Sequence, residues 1–235
     1  MARLALRDGD RSRSTRPVGV RPAGLRGPRP GGRRLGGSAN AGRRVTQASP
    51  GAAWQPALII RLPDPGVVVL VGAAGAGKTT LAGRVFRPEE VLSSDTYREL
   101  VAGDPADQSA TRTAFSILHR DLGRRLSSGL TTVVDATNVT AYARRSIVRR
   151  AAAAGVPAIA LVLDLPEALV LARNATRPGR VVPDAAVRSQ LRDLARSLGR
   201  GALETEGFAA IHRLTSPDEL DGLTIQREAV RSWPP

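Results

Sequence analysis

The sequence predicts an α/β fold in which a parallel five-stranded sheet carries helices on both faces. From residue 54 onward, short apolar segments rich in β-branched residues alternate with segments of helical periodicity, which is the pattern of repeated strand–helix units. The first of these strands leads directly into a glycine-rich loop that opens a helix. Residues 1–53 show neither pattern, so we expect one folded domain over residues 54–235 preceded by an N-terminal arm.

The elements follow from local signals along the chain. Apolar, β-branched runs predict buried strands at 66–72, 91–95, 130–138, 158–164 and 209–214. Helical periodicity predicts helices at 78–86, 107–126, 141–154, 166–173 and 184–198. Gly155 is a typical residue just past the end of a helix, and Pro166 is a typical first residue of one.

Residues 1–53 form a basic arm. They hold twelve arginines against Asp8 and Asp10, in a chain whose formal net charge is +14. The arm is rich in Arg, Gly, Pro and Ser and lacks periodic apolar residues, so we predict that it is disordered. It could contact nucleic-acid phosphates, act as a transit-like arm, or result from a start codon assigned too far upstream. The composition favours the last two interpretations.

Composition also excludes several classes of function. The chain has no Cys and two His, which excludes disulfides and thiolate metal sites and argues against a histidine-based metal centre. No apolar run approaches the roughly 18 residues of a membrane span, and the N-terminus lacks the apolar segment of a secretory signal. We therefore expect a cytoplasmic protein without a membrane partner. The sequence leaves open whether it is a monomer or a homodimer.

Residues 72–79, GAAGAGKT, fit the pattern G-x-x-x-x-G-K-[ST] between a predicted strand and a predicted helix. The glycines permit positive φ and leave the backbone N–H groups open to a phosphate. Lys78 is predicted to reach the β- and γ-phosphates of ATP, and the Thr79 hydroxyl to bind Mg²⁺. The predicted ATP-binding residues of this stretch are Gly72, Ala73, Ala74, Gly75, Ala76, Gly77, Lys78, Thr79 and Thr80.

Lys78 is the only lysine among the 35 Lys and Arg residues of the chain. A compact ammonium on a flexible stem fits a phosphate cradle, whereas the planar guanidinium of arginine is too wide. The retention of lysine at this one position therefore favours a P-loop NTPase with ATP and Mg²⁺ as its cofactors.

Three aspartates follow apolar strands, and the carboxyl ends of parallel strands meet at one edge of a sheet. Asp135 is predicted to bind Thr79 or the waters around Mg²⁺, whereas Asp164 precedes Leu165-Pro166 and is interpreted as a helix cap. Asp95 has Arg98 three residues on, so a helical turn places both on one side. A carboxylate there can orient a hydroxyl and accept its proton during phosphoryl transfer.

The segment LARNATRPGR places Arg173, Arg177 and Arg180 within eight residues. Pro178 disfavours helix at the residue before it, so the later arginines are predicted to lie on a loop. On a mobile flap they would close on the γ-phosphate and stabilise its charge, and Arg180 is counted among the ATP-binding residues. The alternative is a solvated surface in an arginine-rich protein, and composition does not decide between the two.

Taken in order, GAAGAGKTT, VLSSDTYREL, DQSATRTAFSILHRDLGRRLSSGLTTVVDATNVT, LVLDLP, ARNATRPGR and LGRGALETEGF resemble the 5′-hydroxyl polynucleotide kinase module of bacterial polynucleotide kinase-phosphatase repair enzymes. The likeness covers roughly residues 60–220. Its most specific parts are SSDxxR, DQSAT, VVDATN and RNxxRxxR at these separations. Two features depart from the family: the acidic segment is thinned to GDPADQ, and the phosphatase and ligase modules are lacking. Any 3′-end processing or sealing is therefore expected to come from elsewhere or to be absent.

The resemblance implies an adenylate-kinase-like P-loop fold that moves the γ-phosphate of ATP to the 5′-OH of DNA or RNA. It assigns Asp95 as the general base and Arg98 to the acceptor strand. It also places Arg173 and Arg177 in a lid, about residues 173–184, over the donor phosphates. Two alternatives stay open: a P-loop kinase of a small-molecule hydroxyl, and a nucleotide-dependent nucleic-acid-binding protein without transfer chemistry.

Overall fold

The five predicted strands form one parallel sheet in a computed structural model that describes residues 58–103, 111–178, 180–199 and 201–230. The strands of this main sheet are β2 Val67–Val71, β3 Val91–Ser93, β4 Thr132–Asp135, β5 Ala158–Leu163 and β6 Ala210–Leu214. Their spatial order is β3-β4-β2-β5-β6, and every pairing is parallel. The predicted fold class is therefore confirmed. The predictions for residues 1–53 lie outside the described residues.

Helices cover both faces of the main sheet, as predicted. They are α1 Lys78–Val85, α2 Ser94–Ala102, α3 Thr111–Ser127, α4 Ala141–Ala153, α5 Glu167–Ala175, α6 Asp184–Gly199 and α7 Pro217–Gly222, with a 3₁₀ turn at Pro88–Glu90. Alternate residues of β2 point to opposite faces: Val68 and Leu70 pack with α1 and α5, and Val69 packs with α3 and α4. This two-sided burial explains why the central strands are continuously apolar.

A second, two-stranded sheet was not predicted. Its strands, β1 Ile59–Asp64 and β7 Thr224–Ala229, pair in parallel although they lie at opposite ends of the described chain. Ile60 and Leu62 are almost fully buried in the same core as β2. The expectation of five strands is therefore right for the main sheet and incomplete for the chain.

Some strands and helices begin or end at residues other than those predicted. The strand predicted at 91–95 ends at Ser93, because Ser94 and Asp95 already belong to the first turn of α2, where a carboxylate is favoured by the helix dipole. Helix α5 runs to Ala175, two residues beyond the prediction. Helix α3 is described from Thr111, and residues 107–110 of the helix predicted at 107–126 lie outside the described residues.

The loop after β4 is fixed by a buried ion pair. Arg144 of α4 is fully buried and forms two hydrogen bonds to Glu206, of 2.8 and 2.7 Å. It also donates to the carbonyl oxygens of Asn138 and Val139. Asn138 has a left-handed φ of 46° and donates from Nδ2 to the carbonyl oxygen of Leu70. The network holds the chain beyond β4 against the end of β2, where the glycine-rich loop begins. No helix of the described part is long and apolar enough to cross a membrane.

Candidate active site

The glycine-rich loop, residues 72–77, leaves β2 and turns into α1. Gly75 and Gly77 have φ of 85° and 93°, a conformation that L side chains rarely adopt. A Cβ at Gly75 would also lie 2.4 Å from the carbonyl oxygen of Val170. At Gly77 the nearest atom to such a Cβ is a guanidinium nitrogen of Arg173, 3.6 Å away. Packing and backbone conformation thus require glycine at position 75, and conformation alone requires it at 77.

Lys78 is buried beneath this loop. Its Nζ donates to the carbonyl oxygens of Gly72 and Ala73, at 2.9 and 2.8 Å. Burial lowers its pKa to about 8, with a further lowering from Arg177 and an opposing effect of Asp135. A phosphate in the loop would supply the anion that the buried ammonium of Lys78 lacks. The positive charge of Lys78 therefore favours a phosphate at this position.

Thr79 and Asp135 are in direct contact, as the sequence predicted. The hydroxyl of Thr79 donates to Oδ2 of Asp135 at 2.8 Å, and Asp135 lies buried at the end of β4. Hydroxyl and carboxylate oxygens are ligands that Mg²⁺ accepts, and Mg²⁺ in such sites takes most of its remaining ligands from phosphates and water. The pair therefore fits a magnesium ion held against a nucleotide.

Packing and hydrogen bonds hold the other residues of the glycine-rich loop in place. Ala73, Ala74 and Ala76 are buried, and the N–H of Ala74 donates to Oε1 of Gln190 in α6 at 2.8 Å. The N–H of Gly72 donates to the carbonyl oxygen of Thr137 at 2.9 Å. These contacts fix the loop backbone in advance of any ligand.

Asp95 is surrounded by three guanidinium groups. Its Oδ1 accepts from Arg98 and from Arg180, the latter at 2.8 Å, and its Oδ2 accepts from Arg177 at 2.9 Å. Arg98 is buried, and burial together with the charges of Arg180 and Arg177 lowers its pKa to about 10, so it remains a cation at neutral pH. The structure therefore brings the predicted lid arginines 177 and 180 onto the predicted base.

Two cavities meet at the loop. The first, which we call the loop cavity, measures about 430 Å³ and is bordered by the loop, α1, α7 and the end of α5. The second, the Asp95 cavity, measures about 170 Å³. Lys78, Thr79 and Arg177 border both cavities, whereas Asp95, Arg98, Asp135 and Arg180 border only the second. Arg173 and Thr80 border the loop cavity.

One expectation for the strand ends is wrong. Asp164 does not cap α5, whose N-cap is Pro166 without a side-chain hydrogen bond. Its carboxylate instead accepts from Arg213 of β6, with one of the two bonds at 2.8 Å. The carboxylate of Asp164 thus pairs with the neighbouring strand instead of capping the helix, whose start the proline already fixes.

Sequence reasoning missed several residues that border the cavities. Arg84 of α1 and Leu220 and Asp221 of α7 border the loop cavity, and Arg84 donates to the carbonyl oxygen of Asp221 at 2.6 Å. Helix α7 carries a capping box between Ser216 and Glu219, and the residues SPDE were a readable signal for it. Thr111, Phe115 and Gln190 border the Asp95 cavity.

The fold and the loop define the class: this is a P-loop kinase fold. A family model described as an AAA domain matches residues 67–200, more than half of the chain. The chain belongs to that family. A comparison with curated protein sequences finds no match.

Several solved structures are similar to this chain at low sequence identity. A chain of the "Pnkp1/Rnl/Hen1 RNA repair complex" is 20% identical with a TM-score of 0.52, over 59% of this chain and 47% of that chain. A chain of the AvrRxo1-ORF1:AvrRxo1-ORF2 complex with sulphate ions is 16% identical with a TM-score of 0.50, over 66% and 56%. A gluconokinase from Sinorhizobium meliloti 1021 is 19% identical with a TM-score of 0.44, over 68% and 87%. The chain thus spans about half the length of the first two.

Proposed function

We propose that the protein is an ATP-dependent kinase that transfers the γ-phosphate of ATP to the 5′-hydroxyl of a DNA or RNA end. The observation that carries the proposal is that Asp95 and Arg98 border the same cavity as Lys78 and Thr79. A carboxylate that can take a hydroxyl proton thus lies beside the residues that hold a donor phosphate.

The donor half of the site consists of the glycine-rich loop, Lys78, Thr79 and the lid arginines. The loop N–H groups and the buried ammonium of Lys78 bind the phosphates. Mg²⁺, held by the Thr79 hydroxyl beside Asp135, supplies positive charge against the phosphate oxygens when it is bound. Arg173 borders the loop cavity and Arg177 borders both cavities, so both can stabilise the charge of the transferred group.

In the acceptor half, Asp95 orients the 5′-hydroxyl and accepts its proton on a carboxylate oxygen. The bond that forms joins the 5′-oxygen to the γ-phosphorus. The bond that breaks joins the γ-phosphorus to the bridging oxygen, which leaves with ADP. Arg98, buried beside Asp95, binds the acceptor strand next to its 5′ end.

The same proposal includes the extent of the domain. Residues 54–235 are the kinase domain, with a lid over about residues 173–184. Asn174 supports this view of the lid, because its side chain makes two hydrogen bonds to the backbone of Val182, at 2.7 and 3.2 Å. These two bonds tie together the ends of the segment to which Arg177 and Arg180 belong.

A small-molecule hydroxyl is the second candidate acceptor. The observation in its favour is the size of the Asp95 cavity, about 170 Å³, which is below the usual range of about 300–1,000 Å³ for ligand pockets. A compact alcohol would fill it without contacting any further surface. The same Lys78, Thr79 and Asp95 would serve either acceptor.

The first test offers the protein Mg²⁺, γ-labelled ATP and a 5′-OH oligonucleotide of DNA or of RNA. We expect label on the oligonucleotide and none with the Lys78→Ala variant, because that variant lacks the phosphate-binding ammonium. The two oligonucleotides together rank the acceptors. Hydrolysis or binding of ATP without label on either oligonucleotide would contradict the proposal and favour a small-molecule acceptor or a protein that only binds nucleic acid.

A further inference from the structure

The Asp95 cavity adjoins a groove between α3 and α4. This α3–α4 groove measures about 490 Å³ and shares Thr111 and Phe115 with the Asp95 cavity. At its other end it shares Tyr142 with an open surface that we call the α4 patch, bordered by Tyr142, Arg145, Arg149, Thr205 and Glu206. The three spaces therefore adjoin one another in a row from Asp95 to the outer face of α4, and we call this row the path.

The path is strongly cationic. Arg112 of α3 and Arg145, Arg149 and Arg150 of α4 are exposed along it. No residue that borders the α3–α4 groove is acidic. In the part of the chain that the structure describes, no carboxylate forms an ion pair with Arg112, Arg145 or Arg149. Glu206 on the α4 patch is already bound to the buried Arg144.

Aromatic rings alternate with these cations. Phe115 and His119 lie one helical turn apart on the wall of the groove, with ring centroids 6.2 Å apart. The Tyr142 side chain is 85% exposed, although a ring of that size gains free energy from burial. Two buried polar atoms on the groove wall, Oγ1 of Thr111 and Nδ1 of His119, have no hydrogen-bond partner among the described residues.

We propose that this path binds the single-stranded segment that follows the 5′ end of the acceptor. The phosphates lie against Arg112, Arg145 and Arg149, and the bases stack on Phe115 and Tyr142. This inference rests on the proposed function and adds the position and length of the acceptor site. Charge complementarity favours a polyanion, and exposed rings between the cations favour unstacked bases over a duplex. It also explains how a cavity of about 170 Å³ can serve a large substrate, since only the 5′ end enters it.

The test compares two triple variants of the full chain. Arg112→Ser/Arg145→Ser/Arg149→Ser removes the cations of the path. The matched control, Arg120→Ser/Arg192→Ser/Arg196→Ser, removes three exposed helical arginines that border none of the cavities described above. We expect the first triple variant to raise the KM for a 12-nucleotide 5′-OH oligonucleotide by about 10-fold or more. The slope of log affinity for this oligonucleotide against log salt concentration should become shallower by about 2. The KM of the control variant for the same oligonucleotide should change less than about twofold. The KM of both variants for ATP should also change less than about twofold.

Length and stacking give independent readouts. For the wild type, the KM should fall as the oligonucleotide lengthens from two nucleotides to about six. The difference in KM between the wild type and the Arg112→Ser/Arg145→Ser/Arg149→Ser variant should be smallest for the shortest acceptor. Tyr142→Ala should raise the KM for the 12-mer by about 10-fold through loss of one stacked base.

The outcomes separate the two proposals. If no oligonucleotide is phosphorylated and none is bound in an anisotropy assay, the proposed function and the path both fail. If the 12-mer is phosphorylated with the same KM by the wild type and both triple variants, the function stands and the path is wrong. Equal losses in the two triple variants would show a non-specific effect of charge and would also overturn the path.

Discussion

Asp95 differs from the other strand-end aspartates in the number of cations around it. Asp164 binds one arginine and Asp135 binds the Thr79 hydroxyl, whereas Asp95 forms ion pairs with Arg98, Arg177 and Arg180. A hydroxyl that approaches its oxygens must compete with at least one guanidinium. Under the proposed function, the phosphates of ATP would attract Arg177, which also borders the loop cavity, and this competition would free Oδ2 once the donor is bound.

The residue-scale prediction concerns this carboxylate. Asp95→Asn should lower kcat for phosphoryl transfer by about 10²- to 10⁴-fold, because the amide cannot accept the proton of the acceptor hydroxyl. ATP binding should persist, since Lys78 and the loop are unchanged. Steady-state kinetics and nucleotide titration measure the two effects. Asp164→Asn is the control, a strand-end aspartate that also pairs with an arginine and borders neither cavity. Turnover near the wild type in Asp95→Asn would remove the residue from the mechanism.

The sequence named the candidate site residues by type and order, but their contacts depended on the fold. The loop, Lys78 and Thr79 were readable because a local motif specifies their conformation. The contact of Thr79 with Asp135 followed from the rule that strand ends share one edge of the sheet. The contacts of Arg177 and Arg180 with Asp95 span 82 and 85 residues, and no local pattern encodes such a separation.

At the scale of elements, continuous burial made β2 and β5 predictable, whereas β1 and β7 are only partly buried and were missed. β2 and β5 are buried at every residue. β1 alternates exposed and buried residues at its start, and β7 is mostly exposed. Each outer strand is stable only against a partner at the far end of the chain, so neither stands out in a local window. Helix α7 has six residues, too few for a helical period to appear.

The element-scale prediction concerns the junction of the loop with α5. Gly75→Ala should lower the free energy of unfolding by about 1–3 kcal/mol, since the residue needs a positive φ, and its Cβ would collide with the backbone of α5. The displaced helix carries Arg173 and Asn174, so ATP affinity should fall as well. Gly83→Ala is the control: within α1 its Cβ meets nothing within 4 Å, and it should raise stability by about 0.5–1 kcal/mol. Chemical denaturation measures both, and equal stabilities would contradict the assigned loop strain.

At the scale of the molecule, side chains join the two-stranded sheet to the main sheet. Arg227 of β7 donates to Oε2 of Glu90 at 2.7 Å, and Glu90 lies in the 3₁₀ turn directly before β3. Glu90 also accepts from the N–H of Arg87 at 3.0 Å. Arg84 of α1 adds bonds to backbone carbonyl oxygens of α7 and Leu223. The end of the described chain is thereby held against the elements that surround the loop cavity.

Glu90 gives this junction a pH dependence. Burial raises the pKa of its carboxyl, but the hydrogen bonds from Arg227 and Arg87 and their charges outweigh burial and hold the pKa below its ordinary value of 4.5. A group whose pKa is lowered by folding stabilises the folded state above its unfolded pKa, and that contribution is lost as the pH falls through the folded pKa. The stabilisation by Glu90 should therefore be complete at pH 7 and absent in strong acid.

Glu90→Gln should accordingly lower the unfolding temperature at pH 7 by roughly 2–4 °C, and the difference from the wild type should disappear as the pH is lowered below the folded pKa. The matched control is Glu228→Gln. Glu228 is a carboxylate of β7 that pairs with Arg61 at 3.1 Å but is about half exposed, and exposed pairs contribute little. Thermal unfolding of the three proteins across pH 3–7 measures the effect. A difference at pH 7 that Glu228→Gln reproduces in full, or one that does not decrease as the pH falls, would show that the Glu90–Arg227 pair does not hold the two sheets together.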